Sequence, residues 1–312
     1  RSMHQEGVQS LRANICSVFL GHAEAVDRLI ACLLARGHCL IEDVPGVGKT
    51  VLASALARSI DCAFGRISLT PDLLPADILG VSVYRREVER FEFKRGPIFA
   101  SIVLADEINR ATPRTQTAML EAMSEGAVTV DGITHALPAP FMIVATQNPT
   151  DFQGTYALPE NQLDRFLVRI SLGYPSAADE SRVLQLRPAS KALGTLKPVI
   201  TAQTVVELQQ KVDEVRTDKA LLDYIIAIAT ATRRHEGLQL GLSPRGSLAL
   251  AQAARAWAVM RGRDYIIPED ITENVVSVCA HRVIPRGSLG GGGPDQASRI
   301  LAEVLTKVPS PA

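Results

Sequence analysis

An excess of charge of either sign is missing from this 312-residue chain, in which 33 Lys and Arg stand against 33 Asp and Glu. An obligate nucleic-acid binder usually carries a basic surplus, so that class is disfavoured. Aromatic residues are scarce, 4% of the chain with a single Trp, too few for a base-stacking platform to be the main surface. Long apolar runs are missing too. The longest stretch free of Asp, Glu, Lys and Arg is Gly132–Thr150, and it holds Pro138, Pro140, Pro149, His135, Gln147 and Asn148. Such a stretch does not form a bilayer helix. The first residues lack the basic-then-apolar pattern of a secretion signal, and Met3 reads as the native start behind Arg1 and Ser2. Cys16, Cys32, Cys39, Cys62 and Cys279 are odd in number and include no C-x-x-C pair. Buried reduced thiols are expected, which points to a cytoplasmic protein.

What is present is an ordinary globular composition, 46% hydrophobic and 21% charged, in a chain long enough for about two domains. The first part alternates apolar runs with amphipathic stretches. Helical spacing runs over Ala23–Arg36 and again over Lys49–Ser59. Between and after them, His38–Ile41, Ala63–Leu69, Ile102–Ala105, Phe141–Thr146 and Phe166–Leu172 read as buried parallel strands. Strands alternating with helices imply an α/β sheet covered on both faces. Two hairpins interrupt the pattern. One spans Val81–Tyr84 and Arg90–Lys94. The other spans Val128–Val130 and Ile133–His135 around Asp131-Gly132, a pair suited to a tight two-residue turn. Past Pro175, helices are expected at Ser176–Leu186, Thr204–Val215, Asp218–Arg234, Pro244–Met260 and Pro268–Ala280, with no strand. Arg286–Pro294, with its run of glycines, reads as a flexible linker before a short last helix. The expected fold is therefore an α/β core over residues 1–175, carrying two hairpins, followed by an all-helical domain over 176–312.

Three strand ends carry chemistry. The run Val44-Pro45-Gly46-Val47-Gly48-Lys49-Thr50 lies between a strand and a helix. Gly46 and Gly48 let successive backbone N–H groups converge on phosphate oxygens, and the following helix adds the positive end of its dipole. Lys49 would reach the β and γ phosphates and the Thr50 hydroxyl would ligate Mg²⁺. Asp43 stands where the phosphate-loop consensus has its first glycine. The strand Ile102–Ala105 ends in Asp106 and Glu107, placing one acid to hold Mg²⁺ through water and the other to polarise an attacking water. Asn148, at the end of another apolar strand, offers an uncharged amide to the γ-phosphate and that water without neutralising the base. The cofactors so implied are ATP and Mg²⁺.

The motifs P-G-V-G-K-T (45–50), L-A-D-E-I-N-R (104–110), A-T-Q-N-P (145–149), L-P-E-N-Q-L-D-R-F (158–166) and L-S-P-R-G-S (242–247) occur in that order. Together they resemble the MoxR family of AAA+ ATPases, in the helix-2-insert clade, over nearly the whole chain. The resemblance implies a P-loop AAA+ αβα sandwich with a small helical lid. It makes Asp106 and Glu107 the Walker B acids, Asn148 sensor 1, and Arg165 an arginine finger for a neighbouring subunit. Arg245 would be sensor 2 on the lid of the same subunit, and Gly21 and His22 would approach the adenine. The hairpin at 81–94 resembles the helix-2 insert and that at 128–135 the pre-sensor-1 hairpin. The plain structural alternatives are a surface ion pair with Asp164 for Arg165 and a first-turn arginine of a lid helix for Arg245.

The function implied is a Mg²⁺-ATP-driven motor working as a homo-oligomeric ring, expected to be a hexamer, that remodels or matures other protein complexes. Metal-cofactor insertion and a von Willebrand factor A-domain partner belong to the same analogy. A DNA-acting motor of the same clade is the alternative, opposed by the zero net charge. A nucleotide-dependent interaction module without turnover is opposed by the joint presence of Glu107, Asn148 and Arg165.

Overall fold

A computed structural model describes residues 3–43, 46, 48–148, 154–186, 189–287 and 293–311. Its centre is a five-stranded sheet of β1 (Cys39–Glu42), β2 (Phe64–Ser68), β3 (Ile102–Asp106), β4 (Met142–Gln147) and β5 (Val168–Ile170). The strand order is β5-β1-β4-β3-β2 and all pairs are parallel. Parallel strands are buried on both faces, so their apolar side chains alternate between two cores. Cys39, Ile41, Leu104 and Val144 enter one hydrophobic cluster, while Leu40, Val103, Ala105 and Ile143 enter the other.

Helices α1 (Met3–Cys16), α2 (Ala23–Leu34) and α3 (Lys49–Ser59) cover the first face. The N-terminal helix α1 adds to the sequence reading, which begins its helices at Ala23. Among its described side chains the buried stripe is Val8, Leu11 and Ile15. Helix α4 (Pro113–Glu125) covers the second face through Met119, Leu120 and Met123. The hairpins form as expected, over Gly80–Arg85 with Arg90–Arg95 and over Ala127–Val130 with Ile133–Ala136. Asp131 and Gly132 both take positive φ, +50° and +76°, as the turn requires. Phe93 of the first hairpin stacks on His135 of the second with ring centroids 4.0 Å apart.

Beyond the sheet, α5 (Ala202–Glu214), α6 (Lys219–Arg234), α7 (Pro244–Met260) and α8 (Gly293–Lys307) dominate. The Ser243 hydroxyl caps α7 by accepting from the Gly246 N–H. Helices α5 and α7 pack on α2, so the first hydrophobic cluster runs without a break from the sheet through the N-terminal helices into the C-terminal ones. Three expectations change here. Short strands do occur after Pro175: Ile200–Thr201 pairs with Ile60–Asp61, and Leu238–Leu240 pairs with Ile284–Pro285. Ladders of two or three residues have no periodicity to read. The helix expected over Pro268–Ala280 is broken into Pro268–Thr272 and Val275–Cys279. There the Asn274 amide donates to the Asp270 carbonyl at 2.8 Å, the side-chain competition that disfavours Asn inside helices. The last helix, α8, is 15 residues rather than short, and 288–292 of the expected linker lie outside the described residues.

All five cysteines are free thiols; Cys32, Cys39 and Cys279 are buried, whereas Cys16 and Cys62 are half-buried. Burial pushes Cys62 up to about 11 and Cys279 up to about 12, so neither is an activated nucleophile. Among the described residues no helix is long and apolar enough to cross a membrane.

His38 fastens the start of the sheet. Its Nδ1 accepts from the Ile143 N–H at 2.9 Å and its Nε2 faces the Met123 carbonyl at 3.2 Å. Burial lowers its pKa to about 4, and that of buried His281 falls too, chiefly through desolvation. Protonation therefore favours the unfolded chain. The stability tied to neutral His38, about 3 kcal/mol, is present above pH ~6.5 and is lost as pH falls towards 4. Thermal unfolding followed by circular dichroism should show a melting temperature declining across that window; an unchanged value at pH 4.5 contradicts it.

Candidate active site

In a parallel sheet the chain leaves every strand at the same edge, which gathers the strand-end motifs. The loop after β1, Asp106 and Glu107 after β3, and Asn148 after β4 all emerge at the carboxyl edge, with Glu42 opposite Gln147 and Ala105 opposite Ala145. Gly46 and Gly48 have φ of +85° and +96°, a left-handed geometry that disfavours side chains. A Cβ on Gly46 would meet nothing within 4 Å among the described residues. Val44, Pro45 and Val47 lie outside the described residues.

Helix α3 begins at Lys49, so Thr50 is in its first turn. The Lys49 ammonium donates to the Asp43 carbonyl at 2.7 Å and lies 3.3 Å from the Gln147 carbonyl, which holds it across the edge between β1 and β4. Asp43 has a structural task that its departure from consensus left unexplained. Its Oδ2 accepts from the N–H groups of Leu172 and Gly173, both at 2.6 Å, and from the Ser171 hydroxyl at 3.1 Å. The start of the phosphate loop is thereby tied to the exit of β5.

The two acids are joined by Thr146, which the sequence reading passed over within A-T-Q-N-P. Its hydroxyl donates to Asp106 Oδ1 at 2.6 Å and accepts from the Glu107 N–H at 3.0 Å. Glu107 has φ +58°, uncommon for a non-glycine residue and a form of strain that concentrates at functional sites. Its half-exposed carboxylate lies 3.3 Å from Arg110 Nε. Arg66 reaches Asp106 Oδ2 at 3.3 Å from the middle of β2, a contact the sequence did not announce. Asn148 is buried beside these groups, its carbonyl accepting from the Asn109 amide at 3.4 Å.

Alongside the loop opens a cleft of about 920 Å³. Gly21, His22 and Arg28 line it from the N-terminal segment, Asp43 and Arg169 from the sheet, and Ser277 from the helical elements. Among the described residues His22 Nε2 is buried without a hydrogen-bond partner, a group that a nucleotide base could satisfy.

The two remaining candidates are not brought to this edge. Arg165 precedes β5, whose Val168 is level with Cys39 at the start of β1, so it lies at the amino edge of the sheet. Its guanidinium donates to the Leu120 carbonyl and the Ser124 hydroxyl, each at 2.8 Å, in the last turns of α4. It does not pair with Asp164. Arg245 lies beside it: Nη1 is 3.4 Å from Asp164 Oδ2, with the side chain 81% exposed. With strands rising roughly 3.3 Å per residue, the two edges are about 10–15 Å apart. The expectation that Arg245 serves the nucleotide of its own chain therefore does not fit its position. It shares the edge of Arg165.

The fit to Mg²⁺ rests on the donor set. Thr50 and Asp106 offer oxygen donors at one edge, and Mg²⁺ ordinarily takes one or two protein oxygens with phosphate and water completing six. Among the described residues no group of three or more His, Cys, Asp or Glu side chains could hold a metal alone.

An open glycine turn after β1, an acid pair at the end of β3 with β4 between the two strands, and a helical lid on a β5-β1-β4-β3-β2 sheet define an AAA+ type of P-loop ATPase. The comparisons agree. The model of the ATPase family associated with various cellular activities matches residues 38–168 and that of the AAA lid domain residues 230–303. The uncharacterised protein YeaC of Bacillus subtilis is 48% identical over 96% of this chain and 93% of its own. Chaperone MoxR1 of Mycobacterium tuberculosis is 40% identical over 86% and 73% respectively. A crystal structure of a Cytophaga hutchinsonii protein taken to be an ATPase superposes with TM-score 0.87 at 32% identity, covering 99% of this chain and 96% of that one. The chain belongs to the MoxR family of AAA+ ATPases.

Proposed function

We propose that this chain is a Mg²⁺-dependent ATPase that completes its active sites only in a ring, expected to be a hexamer, and uses the cycle to remodel client protein complexes. The observation that carries this reading is the separation of the phosphate loop and Arg165 onto opposite edges of one sheet. A chain with its cradle at one edge and its arginines at the other is complementary to a second copy placed head to tail. In this reading residues 1–175 form the nucleotide-binding core and 176–312 the lid.

Gly46, Gly48 and the backbone of residues 44–49 bind the phosphates, and Lys49 neutralises the β and γ groups. Thr50 and Asp106 hold Mg²⁺, which when bound would offset charge on the phosphate oxygens. Glu107 takes a proton from the attacking water and Asn148 orients it. Gly21 and His22 receive the base in the cleft beside the loop. Arg165 and Arg245 enter the site of the neighbouring chain, where a fixed guanidinium stabilises charge developing on the transferring phosphoryl group. A remodelling role draws on the chaperone designation of MoxR1 and on the two touching hairpins, which present Tyr84, Phe91 and Ile133 to solvent. Metal insertion and a von Willebrand factor A-domain partner stay with the family analogy.

Specific ATP turnover should rise with protein concentration in step with assembly measured by analytical ultracentrifugation. A dilute preparation shown to be monomeric yet turning over at the full per-chain rate overturns the reading.

A further inference from the structure

At the amino edge of the sheet one carboxylate contacts two lid arginines. Asp164 Oδ1 accepts from Arg282 Nε at 2.8 Å, and Oδ2 lies 3.4 Å from Arg245 Nη1. Arg282 is the fixed member, with a side chain only 4% exposed. Its Nη2 donates to the carbonyls of Asp164 and Phe166, the residues on either side of Arg165, at 3.0 and 2.9 Å. Its Nη1 donates to the Leu167 carbonyl at 3.0 Å and to the Val278 carbonyl in the lid. His281 adds a contact from Nε2 to the Phe166 carbonyl at 2.7 Å. The backbone around Arg165 is thus clamped by buried lid groups, and the same clamp presents Asp164 to Arg245.

We propose that Asp164 is a positioning residue: held by Arg282, it sets the spacing of Arg165 and Arg245 so that both guanidinia are offered to the neighbouring chain as one unit. Without it Arg245, 81% exposed, has no fixed partner among the contacts described, and Arg233, Arg245 and Arg282, which line one cleft, lose an acid that separates their charges. A long exposed arginine loses much rotamer freedom when fixed, so an anchor set before assembly removes that cost from the catalytic event. Movement of the lid would shift both arginines together, because Arg282 and Arg245 are lid residues and Asp164 belongs to the core.

This inference rests on Arg165 acting in a neighbouring site, and its test separates the two claims. In the assembled protein Asp164→Asn should lower ATP turnover roughly 10–100-fold, the scale of a misplaced catalytic group. Its KM and its ADP affinity by calorimetry should stay within about threefold, because its own nucleotide cleft is at the other edge. Mixing with Glu107→Gln chains should restore turnover, since those supply correctly set arginines to the intact sites of Asp164→Asn chains. The loss in the double variant Asp164→Asn/Arg245→Gln should be smaller than the product of the single losses. Asp164→Glu, which keeps the charge, should fall between wild type and Asn and serves if the Asn variant does not fold. Full turnover of Asp164→Asn overturns the proposal. So does a loss that Glu107→Gln chains fail to restore while they do restore Arg165→Ala. If they restore neither, the neighbouring-site reading itself fails and this inference with it.

Discussion

Arg165→Ala is expected to lower steady-state ATP turnover by about 10³-fold or more, the range lost when a guanidinium finger is withheld from phosphoryl transfer. ADP binding to the same variant, read by calorimetry, should be unchanged. The expectation follows from position. Arg165 sits before β5 at the amino edge, and its guanidinium rests on the Leu120 carbonyl and the Ser124 hydroxyl. Those partners are an exposed hydroxyl and a carbonyl within α4, both in its own chain, so truncation costs the fold little. The effect then appears in turnover and not in melting temperature. A drop in both by comparable measure would assign Arg165 to the fold.

The second large effect falls at the other edge. Glu107→Gln should bind ATP and turn over about 10²–10⁴-fold more slowly, the usual worth of a positioned general base. Gln keeps the size of the side chain and loses only the proton acceptor. The Glu107 backbone, at φ +58° and bonded through its N–H to Thr146, is held by contacts the substitution does not touch. Retained turnover would remove Glu107 as the base and shift attention to its neighbours. The ATP-bound Glu107→Gln chain is also the form in which to look for a bound client.

These two residues differ in how far the sequence announces them. Glu107 follows a strand of four buried apolar residues, so periodicity and strand length alone place it at the carboxyl edge beside the phosphate loop. The glycines at 46 and 48 and the Asp131-Gly132 turn are similarly legible, because each is a local backbone demand that few residues meet. Arg165 is recognisable only through resemblance, and its edge becomes known only when the register of β5 against β1 is seen. Arg245 shows the cost of lacking that register: resemblance assigned it to its own nucleotide, whereas packing sets it beside Asp164. Arg282 gave no signal at all. A buried arginine fastening carbonyls more than a hundred residues away has no pattern in a linear reading. Asp43 lies between these cases, visible as a departure and explained only by the three donors of residues 171–173.

The claim on which this account turns is that each site is completed by another chain, and mixing two inactive variants measures it most directly. Arg165→Ala keeps an intact base but offers no finger; Glu107→Gln keeps the finger but has no base. Titrating one into the other at constant total protein should restore turnover, with a maximum at intermediate ratios. Turnover that stays at the level of the two inactive variants at every ratio, in assemblies shown to contain both chains, would contradict the account.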